Sequence, residues 1–128
     1  MRLAICLTAA AILCAGSTPA LGKSAKHPTF QLKETSWTFT DAKLGKVKES
    51  IDADGNYVSE TAAGKHLDHG TSAIKNGKAC FTSEMTKEGE VCWTTTPVSI
   101  GHSMTTTSSD GRKLKVTRVK YFKLSMPK

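Results

Sequence analysis

Helical periodicity is missing from this chain. Beyond residue 30, apolar positions recur at every second residue rather than at a period of 3.6, which argues against a helical domain. No apolar run reaches the roughly 20 residues that a membrane-spanning helix needs. The longest, residues 3–15, has thirteen and is followed by Gly16, Ser17, Thr18 and Pro19. There is no Cys-x-x-Cys pair of the kind that poises a reactive thiolate. Acids show no paired arrangement suited to acid–base catalysis, and no base-stacking motif accompanies the positive charge, which disfavours nucleic acid as a partner. Two near-motifs fail on inspection. Asp52-Ala53-Asp54-Gly55-Asn56 starts like a calcium loop, but Tyr57 stands where that loop needs Gly and Ala63 where it needs Glu. Gly101-His102-Ser103-Met104-Thr105 lacks the second Gly and the α/β scaffold of a nucleophile elbow. No catalytic residue and no cofactor is assigned, and the chain reads as non-enzymatic.

What is present begins with a leader. Arg2, the apolar run of residues 3–15 and the small residues that follow form a secretory signal peptide over residues 1–22, with the mature chain starting at Leu21 or Lys23. Cys14 is preceded by Leu13 rather than by a small residue, which argues against lipid attachment. The expected product is periplasmic or secreted, with no transmembrane anchor. It comprises a basic tail over residues 23–29 and one β domain over residues 30–128. Losing the leader removes Arg2 alone and leaves 17 basic residues against 11 acidic ones, a net charge of +6. That sign favours anionic partners and says nothing about fold.

Asp54-Gly55, Asn76-Gly77, Asp110-Gly111 and, more weakly, Glu88-Gly89 mark tight turns. Between them lie short runs rich in Thr, Val, Ile and aromatics. Strands are expected over residues 36–40, 70–75, 78–83 and 91–95. Val47, Glu49 and Ile51 share one parity before a turn, and Tyr57-Val58 opens the return strand. Val98, Ile100, His102 and Met104 alternate along another strand, and residues 105–109 read as a solvated loop. The last strand, residues 113–124, changes phase between Leu114/Val116 and Val119/Tyr121, so a bulge near Thr117-Arg118 is expected. The fold class is therefore all-β: an antiparallel meander of seven to nine strands, barrel-like or a wrapped sheet. Closure is favoured because it removes exposed edges.

After cleavage Cys80 and Cys92 are the cysteines left, in an oxidising compartment. A hairpin centred on Thr86 sets them directly opposite each other, within disulfide reach. Phe81 and Trp93 fall diagonally on the other face.

Two groups of residues carry candidate chemistry. Lys113, Lys115, Arg118 and Lys120 stand in a terminal segment that holds seven basic residues and no acid. With the bulge, those four line one outward face as an anion-binding stripe. His66, Asp68 and His69 are the one cluster with metal-ligand character. Strand parity would place His66 with Asp68 and turn His69 away, too few ligands for zinc or copper, so no metal is expected.

The segments Trp37-Thr38-Phe39, Asp54-Gly55-Asn56-Tyr57, His69-Gly70-Thr71, Asn76-Gly77-Lys78-Ala79-Cys80-Phe81 and Glu88-Gly89-Glu90-Val91-Cys92-Trp93 resemble those of small exported bacterial β-rich proteins of uncharacterised function. The likeness covers residues 36–95 and implies no activity. The function expected from the residues is a binding module of the cell envelope, directed at an anionic component or a protein. The alternatives are a small metal-binding protein or metal-dependent enzyme using His66 and His69, and a small-ligand carrier if a barrel encloses a cavity.

Overall fold

The computed structural model describes residues 28–128, so the leader and most of the basic tail lie outside the described residues. Eight strands follow one another: β1 (Thr35–Asp41), β2 (Gly45–Ile51), β3 (Asn56–Thr61), β4 (His66–Lys75), β5 (Lys78–Ser83), β6 (Glu90–Trp93), β7 (Ser103–Thr107) and β8 (Lys113–Val119). They form one antiparallel sheet in the order β6-β5-β4-β3-β2-β1-β8-β7. Every ladder but one joins strands adjacent in sequence; the exception, β1 with β8, ties the two ends of the meander together.

That pairing curls the sheet into a nearly closed barrel. The two edge strands, β6 and β7, meet at a short seam. It holds an isolated bridge between Trp93 and Ser108 and backbone bonds from Thr94 N–H to Thr107 O (3.0 Å) and from Ser109 N–H to Cys92 O (2.8 Å). The Thr106 hydroxyl adds a bond to Thr94 O at 2.7 Å. Few edge groups are left to template pairing with another chain.

The turns follow their residue types. Asn76 and Gly77 both take positive φ, 50° and 72°, and set Lys75 opposite Lys78, the geometry of a two-residue hairpin whose twist matches the strands. In the β2–β3 turn the Asp52 carboxylate accepts the N–H groups of Asp54 and Asn56, each at 2.9 Å. The calcium-like run is thus a hairpin held by its own aspartate. Cys80 and Cys92 are paired in the register expected from the sequence and joined by a disulfide. Phe81 and Trp93 stand opposite Val91 and Ala79 on the other face.

Leu32, Trp37, Ile51, Tyr57, Ala79 and Val116 form the buried cluster inside the barrel. Upstream of β1 the chain turns under the barrel, where Phe30 stacks on Trp37 with ring centroids 5.7 Å apart. This plugs one end. Downstream of β8 the chain runs across the outside of β1 and β2. Ser36 Oγ donates to Phe122 O at 2.8 Å and accepts from Phe122 N–H at 2.9 Å, and Ser50 Oγ accepts from Leu124 N–H at 2.8 Å. Ser36 and Ser50 face outward yet are buried, because this segment covers them.

Three expectations need correction. The strand expected over residues 98–104 starts only at Ser103, and residues 94–102 are the connection across the seam. Residues 105–109, expected as a solvated loop, include most of β7, with Thr106 and Ser108 buried. Finally, β8 ends at Val119 and pairs with β1 in unbroken register from Phe39–Val116 to Ser36–Val119. No bulge forms at Thr117-Arg118; Val119 simply takes the outer face, beside Ser36 and the returning chain.

Candidate functional site

The register fixes which side chains point inward. Trp37 pairs with Glu49 across β1 and β2, Glu49 with Ser59 across β2 and β3, and Ser59 with Asp68 across β3 and β4. Directly opposed residues in an antiparallel sheet share a face. All four therefore project into the barrel, in one layer.

Above the plugged end lies a cavity of about 240 Å³. Its wall is largely apolar, with Phe39, Phe81, Trp93, Met104 and Leu114 among its residues. It opens between the β5–β6 and β7–β8 loops, where Thr86, Glu88 and Arg112 line it and are exposed. At that mouth the Arg112 guanidinium lies 5.5 Å from the centroid of the Trp93 ring. It donates from Nε to Asp110 Oδ1 at 3.0 Å. The Asp110 carboxyl is drawn down to about 2 by the Ser108 hydroxyl first and Arg112 second.

Besides Glu88 at the mouth, two carboxyl groups among the described residues stand in the cavity wall, in different circumstances. Asp68 is well supplied with donors: the Tyr57 hydroxyl at 2.8 Å, the Ser83 hydroxyl at 2.6 Å and the His69 N–H at 2.9 Å. Tyr57 in turn packs edge-on against Phe81, with centroids 5.3 Å apart. Burial, together with the bond to Asp68, pushes its hydroxyl well above the ordinary phenol range. Glu49 has no such support. It is half-buried, and its inward parity turns the surface it keeps toward the cavity. Burial raises its carboxyl from 4.5 to about 8, with the charge on Asp68 as the second cause. No donor or cation among the described residues offsets either effect. Removing a carboxylate from water without a compensating partner favours its neutral form.

The histidine cluster is arranged differently from the parity expectation. The β3–β4 register steps from Ser59–Asp68 to Glu60–His66, leaving Leu67 as a bulge. That extra residue returns His66 to the outer face, which His69 also occupies, and leaves Asp68 alone pointing inward. His66 Nε2 and His69 Nδ1 are 3.0 Å apart, and His69 Nε2 lies 3.6 Å from Glu84 Oε2. The three residues His66, Asp68 and His69 do not converge on a point. Among the described residues the metal-like grouping is Cys80, Glu90 and Cys92, whose two sulfurs are joined to each other.

The basic stripe also comes apart. Lys113 and Lys115 lie on the outer face of β8. Arg118 pairs with Trp37 on the inner parity and caps the plugged end, donating to Val98 O at 3.0 Å and to Gln31 Oε1 at 2.8 Å. Lys120 is exposed beyond the strand. Lys115 instead joins Lys46 and Lys48 of β2 around a shallow outer groove floored by Thr38, Thr40 and Thr117. Lys48 there is paired with Glu60 at 2.8 Å.

Sequence reasoning missed the inward-facing acids as a site. Glu49 was legible, since it shares the parity of Val47 and Ile51 and so places a carboxyl on a core face. Asp68 keeps the alternation of Gly70 and Ser72 and so takes its direction from the Asn76-Gly77 hairpin, while His66, beyond the Leu67 bulge, was not legible. Family models, curated proteins and solved structures yield no match to this chain.

Proposed function

We propose that this chain is a non-enzymatic, exported carrier or receptor for a small ligand held inside the barrel. The observation that carries the reading is the cavity itself, an apolar space open at one end with a few polar groups converging on it. That is the usual make-up of small-molecule sites, including the mouths of β-barrels. A dry apolar cavity of about 150 Å³ can hold a benzene. By proportion, about 240 Å³ takes a ligand of about ten non-hydrogen atoms. Binding fits better than turnover because the Asp68 oxygens are already occupied by three donors. The signal-like leader and a disulfide that an oxidising compartment would preserve both support a site of action outside the cytoplasm.

Indole, with a ring of the right size, tests the reading by calorimetry on the oxidised protein. Saturable one-to-one binding is expected, and Val91→Trp, which puts a large ring into the cavity, should abolish it without unfolding the barrel. Equal binding to the parent and to a folded Val91→Trp variant would place the ligand elsewhere.

The outer groove favours a second reading, contact with an anionic envelope component. Its support is the convergence of Lys46 and Lys115 on a row of threonine hydroxyls. Lys46→Gln combined with Lys115→Gln should weaken salt-sensitive binding to anionic vesicles. Unchanged binding would leave these lysines as protection of an exposed face.

A further inference from the structure

The geometry points to an organic cation as the ligand, a compact aromatic or aliphatic amine whose ammonium group sits against Glu49. The inference rests on the cavity being a binding site and adds the chemical class of what fills it. Below the mouth, where Glu88 and Arg112 stand, the described residues lining the cavity include two acids, Glu49 and Asp68, and no base. Asp68 is held by the Tyr57 and Ser83 hydroxyls and the backbone of His69, whereas Glu49, flanked across the strands by Trp37 and Ser59, faces Asp68 and the cavity with no cation beside it. The basic group nearest the opening, Arg112, is held at the mouth by Asp110 and the Trp93 face. An ammonium entering the cavity would supply the partner that the barrel withholds from Glu49. Aromatic side chains line the same cavity, among them Trp37, Tyr57, Phe81 and Trp93, and Trp37 is the cross-strand neighbour of Glu49. Ring faces attract cations through their quadrupole, more strongly where water is excluded. An anion would be repelled by Asp68 and would hold Glu49 in its neutral form. A neutral molecule would offer Glu49 no counter-charge.

With its carboxyl raised to about 8 by burial, Glu49 is expected to be mainly protonated at pH 7 in the empty barrel. Pairing with an ammonium needs the carboxylate, so binding at pH 7 releases a proton to solvent. The amine keeps its own proton throughout.

Three near-isosteric probes separate the possibilities: 2-phenylethylamine, 2-phenylethanol and phenylacetate, titrated by calorimetry at pH 7 in two buffers of different ionisation enthalpy. The amine should bind on the order of ten- to a hundredfold more tightly than the alcohol, the range expected for a charge-assisted hydrogen bond. Phenylacetate should bind least. The buffer dependence should report the release of about one proton, and Glu49→Gln should bring the amine down to the level of the alcohol. If the alcohol binds as tightly as the amine, or phenylacetate binds best, the cation assignment is overturned while the cavity remains a ligand site. If none of the three binds, the cavity reading falls with it. Should Glu49→Gln fail to fold, proton release by the parent protein decides: none on amine binding overturns the role of Glu49.

Discussion

Replacing Glu49 with glutamine preserves the shape of the side chain and removes its titration, which makes the folded protein's pH dependence a direct probe of the barrel interior. In the unfolded chain this carboxyl loses its proton near its ordinary value of 4.5, and in the barrel near 8, because burial and then Asp68 oppose its charge. Between those values the unfolded state holds fewer protons than the folded one, so stability falls as pH rises through that window and levels off above it. Each unit of displacement corresponds to about 1.36 kcal/mol, so the loss across the window is on the order of 2–5 kcal/mol. For a domain of this size that is a large share of the total. The glutamine of the Glu49→Gln variant carries no charge at any pH. The variant and parent should therefore be close in stability at pH 5, and the variant should become the more stable by that amount at pH 9. Urea unfolding of the oxidised protein at pH 5, 7 and 9 measures the difference, with other titrating groups cancelling between the two proteins. A difference that stays constant across pH would mean that Glu49 ionises as it does in water. The interior would then be wet enough to hold a carboxylate, and the argument from burial would be refuted.

Further outcomes follow from the packing. Cys92→Ala should cost about 2–5 kcal/mol, since the bond closes a short loop in a small domain; thiol labelling of Cys80 in the variant but not in the oxidised parent checks the pairing. Gly70→Ala should destabilise severely, because a Cβ there would fall 2.0 Å from the Thr82 carbonyl and 3.0 Å from Ser83 Cα. Both are backbone atoms of the paired strand β5, so relief requires parting the ladder, and a melt within a few degrees of the parent would contradict that geometry. Ile51, which has no exposed surface, should cost about 2–5 kcal/mol when cut to Ala, read from chemical denaturation.

How much of this was legible beforehand varies with the physical range of the cause. The hairpins were, because a turn dipeptide such as Asn76-Gly77 states its own backbone angles. The Cys80–Cys92 register was, because one hairpin with a central residue at Thr86 leaves a single pairing. The C-terminal segment was not. Val119 looks like a core residue out of phase, and a bulge is the local remedy. The actual remedy is tertiary: residues 122–124 return over the outer face of β1 and β2, and an apolar residue on that face gains cover. Residues 98–104 alternate like a strand, but the ladder to β8 starts only at Ser103, and most of that run is spent crossing the seam. At the site, Glu49 announced itself by parity. His66 did not, since no residue type marks Leu67 as a bulge, and a single extra residue reverses every side chain on one side of it.

The central claim is that a small ligand enters the barrel, and amide and indole chemical shifts measured during titration with 2-phenylethylamine test it most directly. The account predicts saturable shifts at the inward-facing positions Glu49, Asp68 and Phe81 and at the Trp93 indole N–H, with the outer face of β2 and β8 unmoved. Shifts centred on Lys46 and Lys115, or none at millimolar ligand, would contradict it.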